Sequence, residues 1–387
     1  MTSSRRFDGV VCFGGEDWWY HNRGHYDMQM MRELSHAMPV LYVNSIGMRV
    51  PRMREGRMFF RRVARKLKSV RHGYERVRDR FAVLSPVAVP GRLGRALSQR
   101  LMHAQIDRGA RRLSIAAPLL WVACPPAARS LDRRSWVGVV YQRTDRFECF
   151  PGVDRAEIER HDRTLKARAD LTLFCSRALF DAEAQQCACA LFVDHGVDYD
   201  VFAAAGQDLH TEPDDLRAVP RPRVGFVGGI DAHTFDPELF LATASALSDV
   251  QFVLVGACSL PAGWCSLANV TLLGQRPYQA VPRYMAACDV LIMPWNRSPW
   301  IDACNPVKLK EYLAVGRPVV STGFRELRRY AALVHEASGA EQFARAIRTA
   351  LAQPGDAQAR RQRVESETWS RKSAAVLARL AALGLSP

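Results

Sequence analysis

The chain has 387 residues, 48% hydrophobic and 24% charged, with 54 Lys+Arg against 39 Asp+Glu and a net charge of +15. This length exceeds one ordinary core and favours two domains, and the composition excludes disordered, collagenous and membrane-spanning classes. Ten cysteines without a Cys-x-x-Cys pair argue against a zinc framework or a disulfide scaffold and for a reducing compartment.

Residues 10–13 read as a short buried strand ending in Gly14 and Gly15, and a helix over 26–36 and a strand over 40–43 follow. The segment 49–80, from Arg49 to Arg80, then carries 13 Lys+Arg and three acids, interleaved with Met53, Met58, Phe59, Phe60, Val63 and Leu67. Basic residues mixed with apolar ones at helical spacing suit an anionic membrane surface. A solvated Arg-rich face and a nucleic-acid patch are the competing readings. Residues 1–200 hold a net charge of +12 and residues 201–387 only +3, so the basic character belongs to the first half. Arg outnumbers Lys 48 to 6, which gives each Lys more weight.

A helix over 97–113, strands over 119–123 and 137–141, a helix over 155–169 and a strand over 171–175 continue the alternation, and a further helix leads to a strand at 191–193. This βαβα rhythm predicts a doubly wound, mainly parallel sheet. Around 206–222 the composition turns polar, with Pro213, Pro220 and Pro222, as in a linker. The pattern restarts at Arg223, with strands over 223–230, 251–255, 270–273 and 290–293 and helices over 237–247 and 279–287. The domains expected are therefore 1–205, a linker 206–222, 223–355, and a C-terminal helix within 356–387 able to pack back on the first domain. The longest apolar run, 115–128, is too short and too Pro-broken to span a bilayer, and the N-terminus has no signal-peptide pattern. A cytoplasmic protein, peripheral to the inner face of the membrane, is expected.

The most informative stretch is NPVKLKEYLAVGRPVVS over 305–321. Asn305 suits an N-cap, Pro306 the first helical position, and Leu309, Tyr312 and Leu313 an inward face. Gly316 stops the helix and Val319 and Val320 begin a strand. Lys308 and Glu311 lie three apart, about 60° around the helix. An exposed helix N-terminus binds anions through its free N–H groups and macrodipole. A cation in the first turn and a carboxylate one turn later can hold a phosphate and a pair of hydroxyls together, as a nucleotide diphosphate requires. No Gly-x-Gly-x-x-Gly and no P-loop sequence is present, which excludes the loops of dehydrogenases and P-loop kinases.

Four blocks give a resemblance to the GT-B glycosyltransferases, close to glycosyltransferase family 4 and its teichuronic-acid-type branch. They are 305–322, the stretch LGQRPY over 273–278 with DVLIMP over 289–294, HGVD over 195–198 with Phe202, and VVYQRTD over 139–145. The resemblance implies an α/β GT-B fold, two doubly wound Rossmann-like domains facing a cleft. It implies a retaining, metal-independent transfer of sugar from a nucleotide-diphosphate sugar to a glycan, with no cofactor. The acceptor would be lipid-linked, in surface or exopolysaccharide synthesis, and no nucleic-acid partner is expected. Asp145, Lys308 and Glu311 would form the catalytic set. Glu311 would bind the ribose hydroxyls, Lys308 and the amides after Asn305 the diphosphate, and Gly274 and Arg276 would lie near the base. Gly14 and Gly15 would face the diphosphate, and His25, Arg143 and Asp145 the acceptor.

The chain departs from the family where a second Glu usually lies eight positions before Glu311, since Ala303 stands there beside Asp302. The Arg and Lys usual after the first strand of the second domain are replaced by Gly229, Ile230 and Asp231. Gly229, Asp231 and His233 remain strand-end residues able to touch the donor. Asp198 and Asp200 match a metal motif of another glycosyltransferase fold, but they fall in the HGVD block, and no metal is expected. Trp18, Trp19 and Tyr20 fit sugar stacking or a loop anchor equally. A GT-B nucleotide-sugar epimerase and a non-catalytic polyanion binder are the alternative functions.

Overall fold

The computed structural model describes residues 5–20, 24–46, 68–87, 95–132, 136–150, 152–208 and 212–387. It divides into two compact units, Met1–Asp194 with Lys372–Pro387, and His195–Arg371.

In the first unit, β1 (Arg5–Arg6) precedes β2 (Gly9–Phe13), β3 (Val40–Val43), β4 (Tyr74–Arg78), β5 (Phe81–Leu84), β6 (Pro118–Val122), β7 (Gly138–Arg143), β8 (Leu171–Phe174) and β9 (Ala190–Phe192). Among the described residues its main sheet runs β4-β5-β3-β2-β6-β7-β8-β9, parallel throughout except for the β4–β5 pair. Every residue of β2, β3, β5 and β6 is buried, as in a parallel sheet covered on both faces. The order reverses between β2 and β6, which makes the loops after those strands the switch point where ligands of such folds bind.

The second unit holds β10 (Arg223–Val227), β11 (Gln251–Val255), β12 (Val270–Gly274), β13 (Val290–Met293), β14 (Val319–Ser321) and β15 (Val334–Glu336). They form a parallel sheet of order β12-β11-β10-β13-β14-β15, the 3-2-1-4-5-6 arrangement of a Rossmann unit, with its switch point between β10 and β13. Local signals start the helices where expected. Asp154 accepts the Glu157 N–H ahead of Arg155–Arg168, and Asp236 accepts the Leu239 N–H ahead of Pro237–Ala246. Finally β16 (Leu385–Ser386) pairs with β1, so the chain ends on the first unit.

Several expectations are corrected. The chain passes between units at 194/195, ahead of the segment 206–222 read as a linker. That segment packs as part of the second unit: Leu216 is fully buried in its core, Arg276 and Tyr284 hold Asp215, and Arg223 pairs with Glu212. Polar, Pro-rich composition here reflects a surface strap rather than a free connection.

The C-terminal helix is two helices, Ala357–Glu365 and Trp369–Ala382. The break falls where Val197 draws residues 367 and 368 into extended pairing through Val197 N–H to Glu367 O at 2.8 Å. Within the segment 49–80, residues 49–67 lie outside the described residues. Its later part is not helical throughout: β4 is an exposed, charged edge strand hydrogen-bonded to β5, and charges on an edge are how sheets discourage further pairing. Among the described residues no helix is long and apolar enough to cross a membrane.

Candidate active site

In the second unit the helix Val307–Val315 leads from the loop after β13 to β14. Its start lies one residue later than read from sequence. Pro306 is the N-cap, extended at φ −77° and ψ 124°, with no side-chain cap bond, while Asn305 is buried. Gly316 ends the helix in the left-handed region at φ 85°, its N–H shared between the Tyr312 and Leu313 carbonyls. The Tyr312 hydroxyl accepts the Val227 N–H at 2.9 Å and so ties this helix to the end of β10.

That tie fixes where Lys308 goes. Its Nζ lies 4.7 Å from the centre of the Phe226 ring and 5.3 Å from that of Trp295. Gly228 makes the room, because a Cβ there would overlap Nζ. The ammonium is thus delivered to the loop after β10. Burial pushes Lys308 down to about 8, partly offset by Cys304, Glu311 and Asp231. Glu311 is 5% exposed, and the Tyr278 hydroxyl donates to its Oε1 at 3.3 Å. Burial pushes this carboxyl up to about 7, against the field of Lys308 and the Tyr278 hydrogen bond. A cation and a carboxylate lacking full compensation on one helix N-terminus form a site prepared for a ligand that carries both anionic and hydroxyl groups.

The neighbouring strand ends are built from glycine. Gly228 and Gly256 meet so closely that a Cβ on Gly256 would overlap the Gly228 carbonyl, and Gly274 closes β12 at φ 71° with open space around it. Arg276 is engaged by its own unit: its Nε donates to the Tyr284 hydroxyl at 2.9 Å and its Nη2 to Asp215 at 2.7 Å. Asp231 organises the loop beyond Gly229, accepting the His233 and Thr234 N–H groups at 2.9 Å each. Asp198 precedes the helix Tyr199–Gln207 as its N-cap and Asp200 sits in the first turn, where carboxylates complement the positive end of the helix dipole. Among the described residues no group of three or more His, Cys, Asp and Glu could hold a metal ion.

In the first unit Gly14 and Gly15 follow β2. A Cβ on Gly14 would overlap the Tyr42 hydroxyl, which lies 2.7 Å from buried Asp27, and Asp27 also accepts the Gly15 N–H at 2.8 Å. Asp145, in the loop after β7, is half-buried, and burial pushes its carboxyl up to about 6, opposed by Thr144 and Arg143 and reinforced by Glu16. His25 is the extended N-cap of the helix Tyr26–Leu34. Trp18 and Trp19 are a loop anchor: Trp18 packs on Tyr42 and Phe81, and Trp19 stacks on His72 and bonds Ser85.

Arg143, expected beside the acceptor, is instead 1% exposed inside an ionic cluster. Its guanidinium meets Glu183 at 3.1 Å, Glu148 at 3.0 Å and Asp162 at 3.4 Å, and Lys166 meets Asp162 and Glu183 at 2.6 Å each. A residue ending a strand was read as facing the ligand, whereas the acids of two following helices enclose it. Arg143→Ala is expected to destabilise the protein by about 3–5 kcal/mol by leaving buried carboxylates uncompensated, read as a fall in the urea midpoint; a midpoint within error of wild type would refute that role.

Residues 221–353 match the family described as glycosyl transferases group 1. That match lies within the second unit. The chain is 29% identical over 225 residues to TuaH of Bacillus subtilis, a protein assigned to teichuronic acid biosynthesis as a glycosyltransferase. The match takes in 52% of this chain and spans about half (55%) of that relative's length. Among solved structures, sucrose-phosphate synthase from Thermosynechococcus elongatus superposes with a TM-score of 0.69 at 14% identity, covering 97% of this chain and 99% of that one. Anabaena HepE in complex with UDP-glucose does so with a TM-score of 0.67 at 14% identity over the same shares. These likenesses show the GT-B fold. Within the second unit, sequence reading found Lys308 and Glu311 but missed their settings. Phe226, Gly228 and Trp295 fall in none of the motif blocks, and Tyr278 ends the LGQRPY block without any sign in sequence that it would meet Glu311.

Proposed function

We propose that this chain transfers a glycosyl group from a nucleotide-diphosphate sugar to a glycan acceptor. The observation that carries the reading is Lys308 and Glu311 on one helix N-terminus, the first held against Gly228 with no ion pair among the described residues and the second buried beside Tyr278. HepE is a neighbour in fold whose structure contains UDP-glucose, which supports a nucleotide sugar as donor. Glu311, as a carboxylate, accepts from the ribose hydroxyls. Lys308 and the amides from Val307 onward meet the diphosphate, and their charge stabilises it as it leaves. Retention of anomeric configuration and independence of metal are part of the proposal. So are a lipid-linked acceptor near Asp145 and His25, in surface polysaccharide synthesis, and docking of segment 49–80 on the anionic inner face of the cytoplasmic membrane.

The test is thermal stability of the purified chain with UDP, GDP, ADP and their sugar conjugates. A ligand at a hundred times its Kd stabilises the native state by about 2.7 kcal/mol. One nucleotide series is expected to raise the melting temperature by several degrees in wild type and to leave Glu311→Ala unmoved. No rise with any nucleotide, from folded protein, would overturn the donor site. Turnover of the sugar nucleotide with no acceptor present would point to an epimerase instead.

A further inference from the structure

The loops after β10 and β13 flank the switch point of the second unit and are zipped together. Asn296 N–H donates to Thr234 O at 3.0 Å, Asp236 N–H to Pro294 O at 2.9 Å, and Phe235 pairs with Trp295 in an antiparallel bridge. The Asn296 side-chain nitrogen donates to the His233 carbonyl at 2.7 Å and to the Ala232 carbonyl at 3.2 Å, which also fixes which end of that amide is oxygen. The His233 ring stands 4.8 Å from the Trp300 ring.

The buried side-chain atoms His233 Nε2, Asn296 Oδ1 and Trp295 Nε1 have no hydrogen-bond partner among the described residues. Buried polar atoms are normally satisfied, and a group of orphans in one pair of loops asks for a ligand. Their place identifies its chemistry. The Trp295 ring is 5.3 Å from Lys308 Nζ, so the orphans adjoin the cation assigned above to the diphosphate. Asp231 is occupied by His233 and Thr234, and buried Ala303 stands where the resemblance places a second Glu. The indole N–H only donates, the Asn296 oxygen only accepts, and His233 Nε2 does either. Hydroxyl groups, each a donor and an acceptor, complement all three.

Resting on the glycosyltransferase reading, we infer that His233, Asn296 and Trp295 read the hydroxyls of the donor's sugar, replacing the missing carboxylate with neutral groups. Removing one such hydrogen bond weakens binding of the sugar conjugate and leaves the bare nucleotide alone. The probe pairs are UDP with UDP-glucose and UDP-N-acetylglucosamine, and GDP with GDP-mannose, titrated calorimetrically. His233→Phe keeps a ring against Trp300 and loses Nε2. It is expected to lose about ten-fold affinity for the sugar conjugate that wild type prefers, with the matching nucleotide within about two-fold. His233→Gln, which restores an amide at similar reach, is expected to recover most of the loss. Equal losses for conjugate and nucleotide, or no loss for either, would overturn the inference. Absence of nucleotide binding by wild type would instead overturn the donor site itself and this inference with it.

Discussion

Glu311→Gln is expected to lower nucleotide affinity by about thirty-fold or more while making the ligand-free protein more stable above neutral pH. The first effect follows from replacing a charged acceptor of two hydroxyls with a neutral amide. Hydrogen bonds to charged groups contribute about 1.5–3 kcal/mol each. The second follows from linkage. Burial raises the Glu311 carboxyl from its ordinary 4.5 to about 7, so between those values the folded state binds more protons than the unfolded one. The stability this provides is complete below about 4.5 and is lost as pH rises through about 7. At higher pH the wild type therefore carries a buried carboxylate at a cost of order 3 kcal/mol, at 1.36 kcal/mol per pKa unit. Glutamine removes that cost. Urea titrations at pH 5 and pH 8 with nucleotide titrations at pH 8 check both limbs. A variant that loses both stability and binding at pH 8 would make Glu311 a structural residue and refute the assignment.

The same ionisation predicts how wild type binds. Below about 7 Glu311 is protonated and donates where it should accept, and above about 8 Lys308 loses its charge in the free protein. Affinity for nucleoside diphosphate is strongest between the two. A bound anion favours the protonated ammonium, which carries the alkaline limb to higher pH.

How much of this was legible in the sequence depends on how local each signal is. Helix Val307–Val315 announces itself through Pro306, Gly316 and the buried positions 309, 312 and 313, and its cap was misplaced by one residue because Asn305 and Pro306 both suit an N-terminus. Strands β2, β3 and β13 are continuous apolar runs and were found nearly to the residue. The β4–β5 pair was hidden because Arg76 and Arg78 belong to a charged edge whose partner, not its own composition, makes it a strand. Residues 206–222 look like a linker until Asp215 and Leu216 are seen held by Arg276, Tyr284 and the core. Arg143 shows the same limit at the site. Nothing near it in sequence reveals that Asp162 and Glu183 will close around it. Local pattern gives elements and a single-helix constellation, while pairs made across the fold stay invisible.

Lys308→Ala is expected to lower kcat by about 100- to 1000-fold, the loss seen when one preorganised donor to a developing negative charge is removed. The ammonium's position explains why. Phe226 and Trp295 present ring faces to Nζ at 4.7 Å and 5.3 Å, a contact that favours a cation without spending its hydrogen bonds on protein. The lysine is thus kept charged yet uncommitted until an anion arrives, and burial that lowers its pKa to about 8 records the strain of waiting. Lys308→Arg restores charge but not shape, since the planar guanidinium does not fit the space that Gly228 leaves, so it should rescue poorly. Gly228→Ala, which changes no charge, should reproduce much of the loss by displacing Nζ. Nucleotide release from the sugar conjugate, followed under saturating donor, separates these outcomes. A kcat for Lys308→Ala within about three-fold of wild type would remove the lysine from the reaction. Full activity in Gly228→Ala would show that Nζ works from somewhere other than the strand end.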